Sequence, residues 1–135
     1  MFLFLLKYLE FQVTTFSTVE DFWALYNHIE IVSKLNGGCD YSLFKEGIKP
    51  MWEDPQNKDG GRWLISIDKR MRNQLLDDLW MEVMMCLIGE AFGEYGNAVN
   101  GAVVNVRVKG DKIALWLSEF LDKEAVTSIG NVKPY

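Results

Sequence analysis

The sequence predicts an α+β fold, an antiparallel β-sheet backed by helices. Three observations predict it. Stretches of strand character outnumber helical ones. They are joined by turns, which favours antiparallel pairing. One long stretch, residues 73–88, instead carries Leu76, Leu79, Trp80, Val83 and Leu87 at helical spacing, as a helix with one buried side does.

The elements follow in order. Residues 1–7 are apolar up to Lys7 and read as a strand or an unusual terminus. They do not make a signal peptide, because no basic segment precedes them and Lys7 cuts the run short. The run is also too short to span a bilayer. Residues 9–16, rich in Phe, Val and Thr, read as a strand. Ser17-Thr18-Val19-Glu20 reads as a capping box with Ser17 as the cap, and a helix follows to about His28. Asn36-Gly37-Gly38 is a turn, 41–44 a short strand, 50–61 a loop broken by Pro55, Asn57 and Gly60-Gly61, and 62–67 a strand. Gly89, Gly93 and Gly96 follow the long helix at a spacing that fits no phosphate loop. Residues 102–108 and 112–118 form a hairpin turned by Lys109-Gly110-Asp111. Asp122 caps a short helix over 123–129. No repeat or linker interrupts residues 1–135, so one domain is expected, with 1–15 as a divergent N-terminal segment.

Composition narrows the function. The chain has 135 residues, 49% hydrophobic and 24% charged, with a net charge of −5. That charge argues against tracking a long phosphate backbone, and no DNA partner is expected, but a single nucleotide in a local pocket is compatible with it. Cys39 and Cys86 read as free, buried, reduced thiols. With His28 as the sole histidine there is neither a metal set nor a triad, so no metal, cofactor or enzymatic activity is expected. The chain is expected in the cytoplasm or the nucleus, without a membrane partner.

Three groups of residues carry chemistry. Trp52-Glu53 lies among prolines and acids; an indole face suits a planar cation, and the adjacent carboxylate can accept two hydrogen bonds from a guanine edge. From these residues alone, an aromatic lid over the core and a site for N7-methylated guanine are both open. In the hairpin, alternation sets Asn105 and Arg107 opposite Val104, Val106 and Val108. Arg107 and Lys112 can converge on phosphate, or simply face solvent at a sheet edge. Val19 and Trp23 share one helix face, and Met81, Glu82 and Met85 lie on the side of the long helix away from Leu76 and Val83. Such an apolar patch suits an amphipathic partner helix, unless Trp23 is core.

The blocks 18–28 (TVEDFWALYNH), 39–45 (CDYSLFK), 50–54 (PMWED), 60–64 (GGRWL), 86–90 (CLIGE) and 101–107 (GAVVNVR) together resemble the initiation factor 4E family, the messenger-RNA cap-binding proteins, over about Phe16 to Val132. The resemblance implies a curved antiparallel sheet with helices on its convex face and a concave cap-binding slot. It implies that Trp52 stacks the methylated guanine and Glu53 holds its edge, that Arg107 and Lys112 contact the cap phosphates, and that Asn105 lies close by. It also implies that Val19, Trp23, Met81, Glu82 and Met85 bind the helix of scaffold factor 4G and of competing 4E-binding proteins.

The sequence departs from the family at both ends. The family's second stacking Trp precedes its first helix, whereas no Trp precedes Trp23 here, and the C-terminal loop and last strand of the family have no counterpart. One aromatic face is worth about 1–3 kcal/mol of stacking, so about tenfold to a hundredfold in affinity is at stake. Two readings follow: a cap-binding initiation factor, or an interaction module impaired in cap binding that engages the scaffold or 4E-binding proteins and modulates translation.

Overall fold

The computed structural model describes residues 2–6 and 11–118. The helix expected over 123–129, with its cap Asp122, lies outside the described residues.

Among the described residues, six strands form one sheet: β1 (Phe2–Leu6), β2 (Phe11–Phe16), β3 (Asp40–Lys45), β4 (Gly61–Asp68), β5 (Val99–Asn105) and β6 (Gly110–Leu117). Their order is β2-β1-β3-β5-β6-β4, every pairing is antiparallel, and the sheet is curved and open. The apolar start is therefore a strand, paired on both sides by β2 and β3. The middle strands β3, β5 and β6 are buried on both faces, so they read as nearly continuous apolar runs. β4, with one partner strand among the described residues, alternates between half-buried and exposed residues, as an edge strand does.

Helices cover the convex face. α1 (Val19–Tyr26) begins one residue later than the sequence suggests: Thr18, not Ser17, is the cap, and its hydroxyl accepts from the Asp21 amide at 3.1 Å. That phase puts Phe22 inward at 1% exposure, against Phe16 and Tyr26. The helix ends at Asn27, leaving His28 exposed just beyond. The loop expected over 50–61 contains a short helix, α2 (Pro55–Lys58), with Pro55 in its first turn and Asp54 as its cap.

The stretch expected as one helix over 73–88 has two parts, a wide π-helical turn (Arg72–Leu76) and α3 (Asp77–Ile88). Its buried line runs through Leu76, Trp80, Met84 and Leu87, with Cys86 beside it, while Leu79 and Val83 are only half-buried. Every position from 79 to 88 except Glu82 is apolar. Periodicity alone therefore leaves the inward face open, and packing against the sheet chooses it. Asp77 ties α3 to the preceding segment by accepting from the Ser33 amide at 2.9 Å and its hydroxyl at 2.6 Å.

The main core lies between helices and sheet, where Leu43, Val104, Ile113 and Leu115 meet Phe22, Leu76, Trp80 and Met84. A smaller cluster of Phe44, Val103, Ala114 and Trp116 sits on the opposite face. The hairpin strands end earlier and start earlier than expected, so Arg107 and Val108 belong to the connection. Val104 and Val106 are fully buried, Val106 because its N–H and carbonyl still bond Cys39 and Gly38, whereas Val108, expected with them, lies past these bonds and is 77% exposed. Both cysteines are free and buried. Burial pushes the Cys86 thiol above its ordinary pKa, and the Glu82 carboxylate adds to this. No described helix is long and apolar enough to cross a membrane.

Tyr41 links β3 to the segment after α1. Its hydroxyl donates to the Glu30 carbonyl at 2.8 Å, and burial, with the Glu30 charge second, pushes its pKa up to about 12. The folded state holds this proton more tightly than an unfolded chain, whose tyrosines titrate near 10. Its contribution to stability is therefore full below about pH 10 and lost as pH rises towards 12. Alkaline titration followed by tyrosinate absorbance should show a tyrosine titrating near pH 12 that is absent in Tyr41→Phe.

Candidate functional site

The register of the middle strands sets which side chains share the concave face. Asp40, Ser42 and Phe44 on β3 pair with Asn105, Val103 and Gly101 on β5; these pair with Lys112, Ala114 and Trp116 on β6; and Trp116 pairs with Arg62 on β4. Since alternate residues point to one side, these side chains form a single surface. The loop before α2 folds over one end of it. The result is a cleft of about 250 Å³ walled by Met51, Trp52 and Glu53 from the loop and by Asp40, Ser42, Arg62, Val103, Asn105 and Trp116 from the sheet.

A buried polar cluster shapes the loop. Asn57, with no exposure, donates to the carbonyls of Lys49 at 2.8 Å and Met51 at 3.0 Å. Its own oxygen accepts from the Asn100 amide group at 2.8 Å. Asp54 accepts from the Lys49 and Gln56 backbone amides. The loop's inward polar groups are satisfied, and Trp52 is left 41% exposed on the outer side. It is a partly open aromatic wall, not a core residue.

The Trp52 ring lies 4.8 Å from that of Trp116, tilted by 33°. Phe44 supports Trp116 from below with an edge contact at 5.6 Å. Gly101 makes room for this packing, because a Cβ there would lie 2.5 Å from the Phe44 ring. The Arg62 guanidinium stands 5.3 Å from the Trp52 centroid and 5.7 Å from that of Trp116. The indole pair thus already attracts a planar cation. The Trp116 Nε1 is buried and has no hydrogen-bond partner among the described residues. Sequence reading missed Trp116 and Arg62. The signal for Trp116 was its even spacing from Lys112 on one strand; Arg62 comes from an edge strand that only the sheet order brings alongside.

Asp40 gathers the polar end. Its Oδ1 accepts from the Asn105 side-chain amide at 2.8 Å and from Arg107 Nη1 at 2.7 Å. Arg107 Nη1 also reaches the carbonyls of Val106 and Cys39. Trp52, Glu53 and Asn105 therefore line the cleft, and Arg107 adjoins it through Asp40. Lys112 is exposed and paired in register with Asn105.

The other expected residues lie on the helices. Val19 and Trp23 are 52% and 39% exposed, with Trp23 edge-on to Phe22 and Tyr26, so Trp23 is not core. On α3, Glu82 is exposed while Met81 and Met85 are half-buried against the core. Tyr26 sits near the head of α3: burial raises its pKa, and the Asp77 and Asp78 carboxylates add to that.

Comparisons with known proteins agree on the kinship. The sequence matches the family described as eukaryotic initiation factor 4E over residues 8–133, beginning eight residues before the stretch that the sequence blocks marked. It is 63% identical to eukaryotic translation initiation factor 4E of Xenopus laevis over 120 residues, 89% of this chain and 56% of that protein. The chain thus spans little more than half the length of this curated relative. Among solved structures, Ascaris suum eIF4E-3 with m7G cap superposes with a TM-score of 0.91 at 49% identity, over 96% of this chain and 77% of that one. C. elegans eIF4E-3 with the 4E-binding protein Mextli gives 0.88 at 48% identity, over 96% and 79%. With fold and sequence in agreement, the chain belongs to the eukaryotic initiation factor 4E family.

Proposed function

We propose that this chain binds the 7-methylguanosine cap of messenger RNA in the concave cleft and recruits scaffold factor 4G, acting in translation initiation in the cytoplasm. The observation that carries the reading is the half-exposed Trp52 ring, beside Trp116, already holding the planar cation of Arg62. A methylated guanine is likewise planar and positively charged. Glu53 at the cleft wall accepts the hydrogen bonds of its edge, and Asn105, Arg107 and Lys112 run from the cleft along the path of the phosphates. Solved relatives carrying an m7G cap support it. Titration with 7-methylguanosine triphosphate should quench Trp fluorescence, with weaker binding of the unmethylated nucleotide. Equal affinity for the two sinks the reading.

A second reading is an interaction module that holds the scaffold or a 4E-binding protein without cap. The exposed Val19 and Trp23 on α1, with Met81, Glu82 and Met85 on α3, favour it. The C. elegans relative solved with the 4E-binding protein Mextli supports a partner-binding role. Capture on an amphipathic scaffold peptide, lost in Trp23→Ala, tests it; retention on that peptide but not on cap resin selects it over the first.

A further inference from the structure

We infer that Arg72 and Asp111 are positioning residues for phosphate recognition, acting through the backbone of Arg107; the inference rests on the cap-binding reading above. Asp111 lies in β6 next to Lys112, yet it is 1% exposed. Its Oδ2 accepts from Arg72 Nε at 2.8 Å, and its Oδ1 accepts from Arg72 Nη2 at 3.0 Å, a two-pronged ion pair. The same Oδ1 accepts from the Arg107 backbone N–H at 3.2 Å, and Arg72 Nη2 donates to the Arg107 carbonyl at 2.6 Å. The pair therefore grips both polar groups of one peptide residue.

Burying the Asp111 carboxylate against an arginine side chain left only 23% exposed is an expensive way to close a turn, since an apolar pair would close it at lower cost. What the ion pair adds is direction. The guanidinium fork is planar and its hydrogen bonds are directional, so the Arg107 backbone is held in one orientation relative to the π-helical turn that carries Arg72. The Arg107 side chain, 46% exposed, is in turn braced by Asp40 at 2.7 Å and stays open to a ligand. A fixed base under a braced charged arm is what a phosphate contact requires, because small displacements of a charged contact lose much of its value.

Asp111→Asn keeps shape but removes the charge, and Arg72→Lys keeps the charge but removes the fork. Both are expected to weaken 7-methylguanosine triphosphate binding by about tenfold while leaving 7-methylguanosine, which lacks phosphates, unchanged. The slope of affinity against salt should become shallower. Faster hydrogen exchange at the Arg107 amide should accompany this. Equal losses for both ligands, or none for either, overturn the inference. If Asp111→Asn fails to melt cooperatively, Arg72→Lys, at a partly exposed residue, decides alone. A wild-type chain that does not distinguish methylated from unmethylated guanosine triphosphate refutes the cap reading itself, and the positioning role falls with it.

Discussion

Trp52→Ala is expected to weaken 7-methylguanosine triphosphate binding by about tenfold to a hundredfold, the worth of one aromatic stacking face at about 1–3 kcal/mol. It should also remove most of the preference over the unmethylated nucleotide, because that preference arises where a cationic ring meets the indole quadrupole. The fold should tolerate the change. Trp52 is 41% exposed, and the loop that carries it is closed from within by Asn57, Asn100 and Asp54. Isothermal titration of folded variant and wild type checks both parts. Trp52→Phe, which keeps a flat ring, should fall between them. Undiminished affinity in Trp52→Ala would show that the base stacks elsewhere, with Trp116 the first place to look.

Phe44→Ala is expected to have the largest effect on stability, a loss of about 3–5 kcal/mol. Domains of this kind have about 5–15 kcal/mol in total, so the urea midpoint should fall steeply. Phe44 has no exposure, and it fills the space that Gly101 leaves on the neighbouring strand. Its ring is the edge partner of Trp116. Removing it leaves a cavity beneath the cleft wall, so the folded fraction should also bind cap more weakly than wild type. Equilibrium urea unfolding followed by far-UV dichroism measures the first effect. A loss under about 1 kcal/mol would mean that the concave cluster collapses around the gap and contributes little to the fold.

Much of the architecture was legible in the residues. The strands at 41–44 and 62–67 and the hairpin follow from alternation and turn chemistry, and the structure extends or trims each by a few positions. The cap of α1 shifted by one residue because Ser17 and Thr18 are both competent caps, and burial of Phe22 chose between them. The inward face of α3 was ambiguous because nearly all its residues are apolar, so Met84 in the core was not foreseen. Val108 was misplaced because alternation carries no information about where a strand stops. The α2 helix was missed because four residues are too few to show a period.

The sequence by itself determined the local chemistry: an aromatic residue and a carboxylate side by side in a proline-flanked loop, basic residues around one hairpin, and the family to which the chain belongs. Tertiary structure alone decided the company those groups keep. Trp116 and Arg62 beside Trp52, Asp40 on Arg107 across 67 positions, and Arg72 on Asp111 across 39 are contacts between distant segments. The reason is physical. Spacing along a strand or helix dictates which side chains share a face, whereas the neighbours across that face depend on strand order and register, which arise when separate elements bury their apolar sides together.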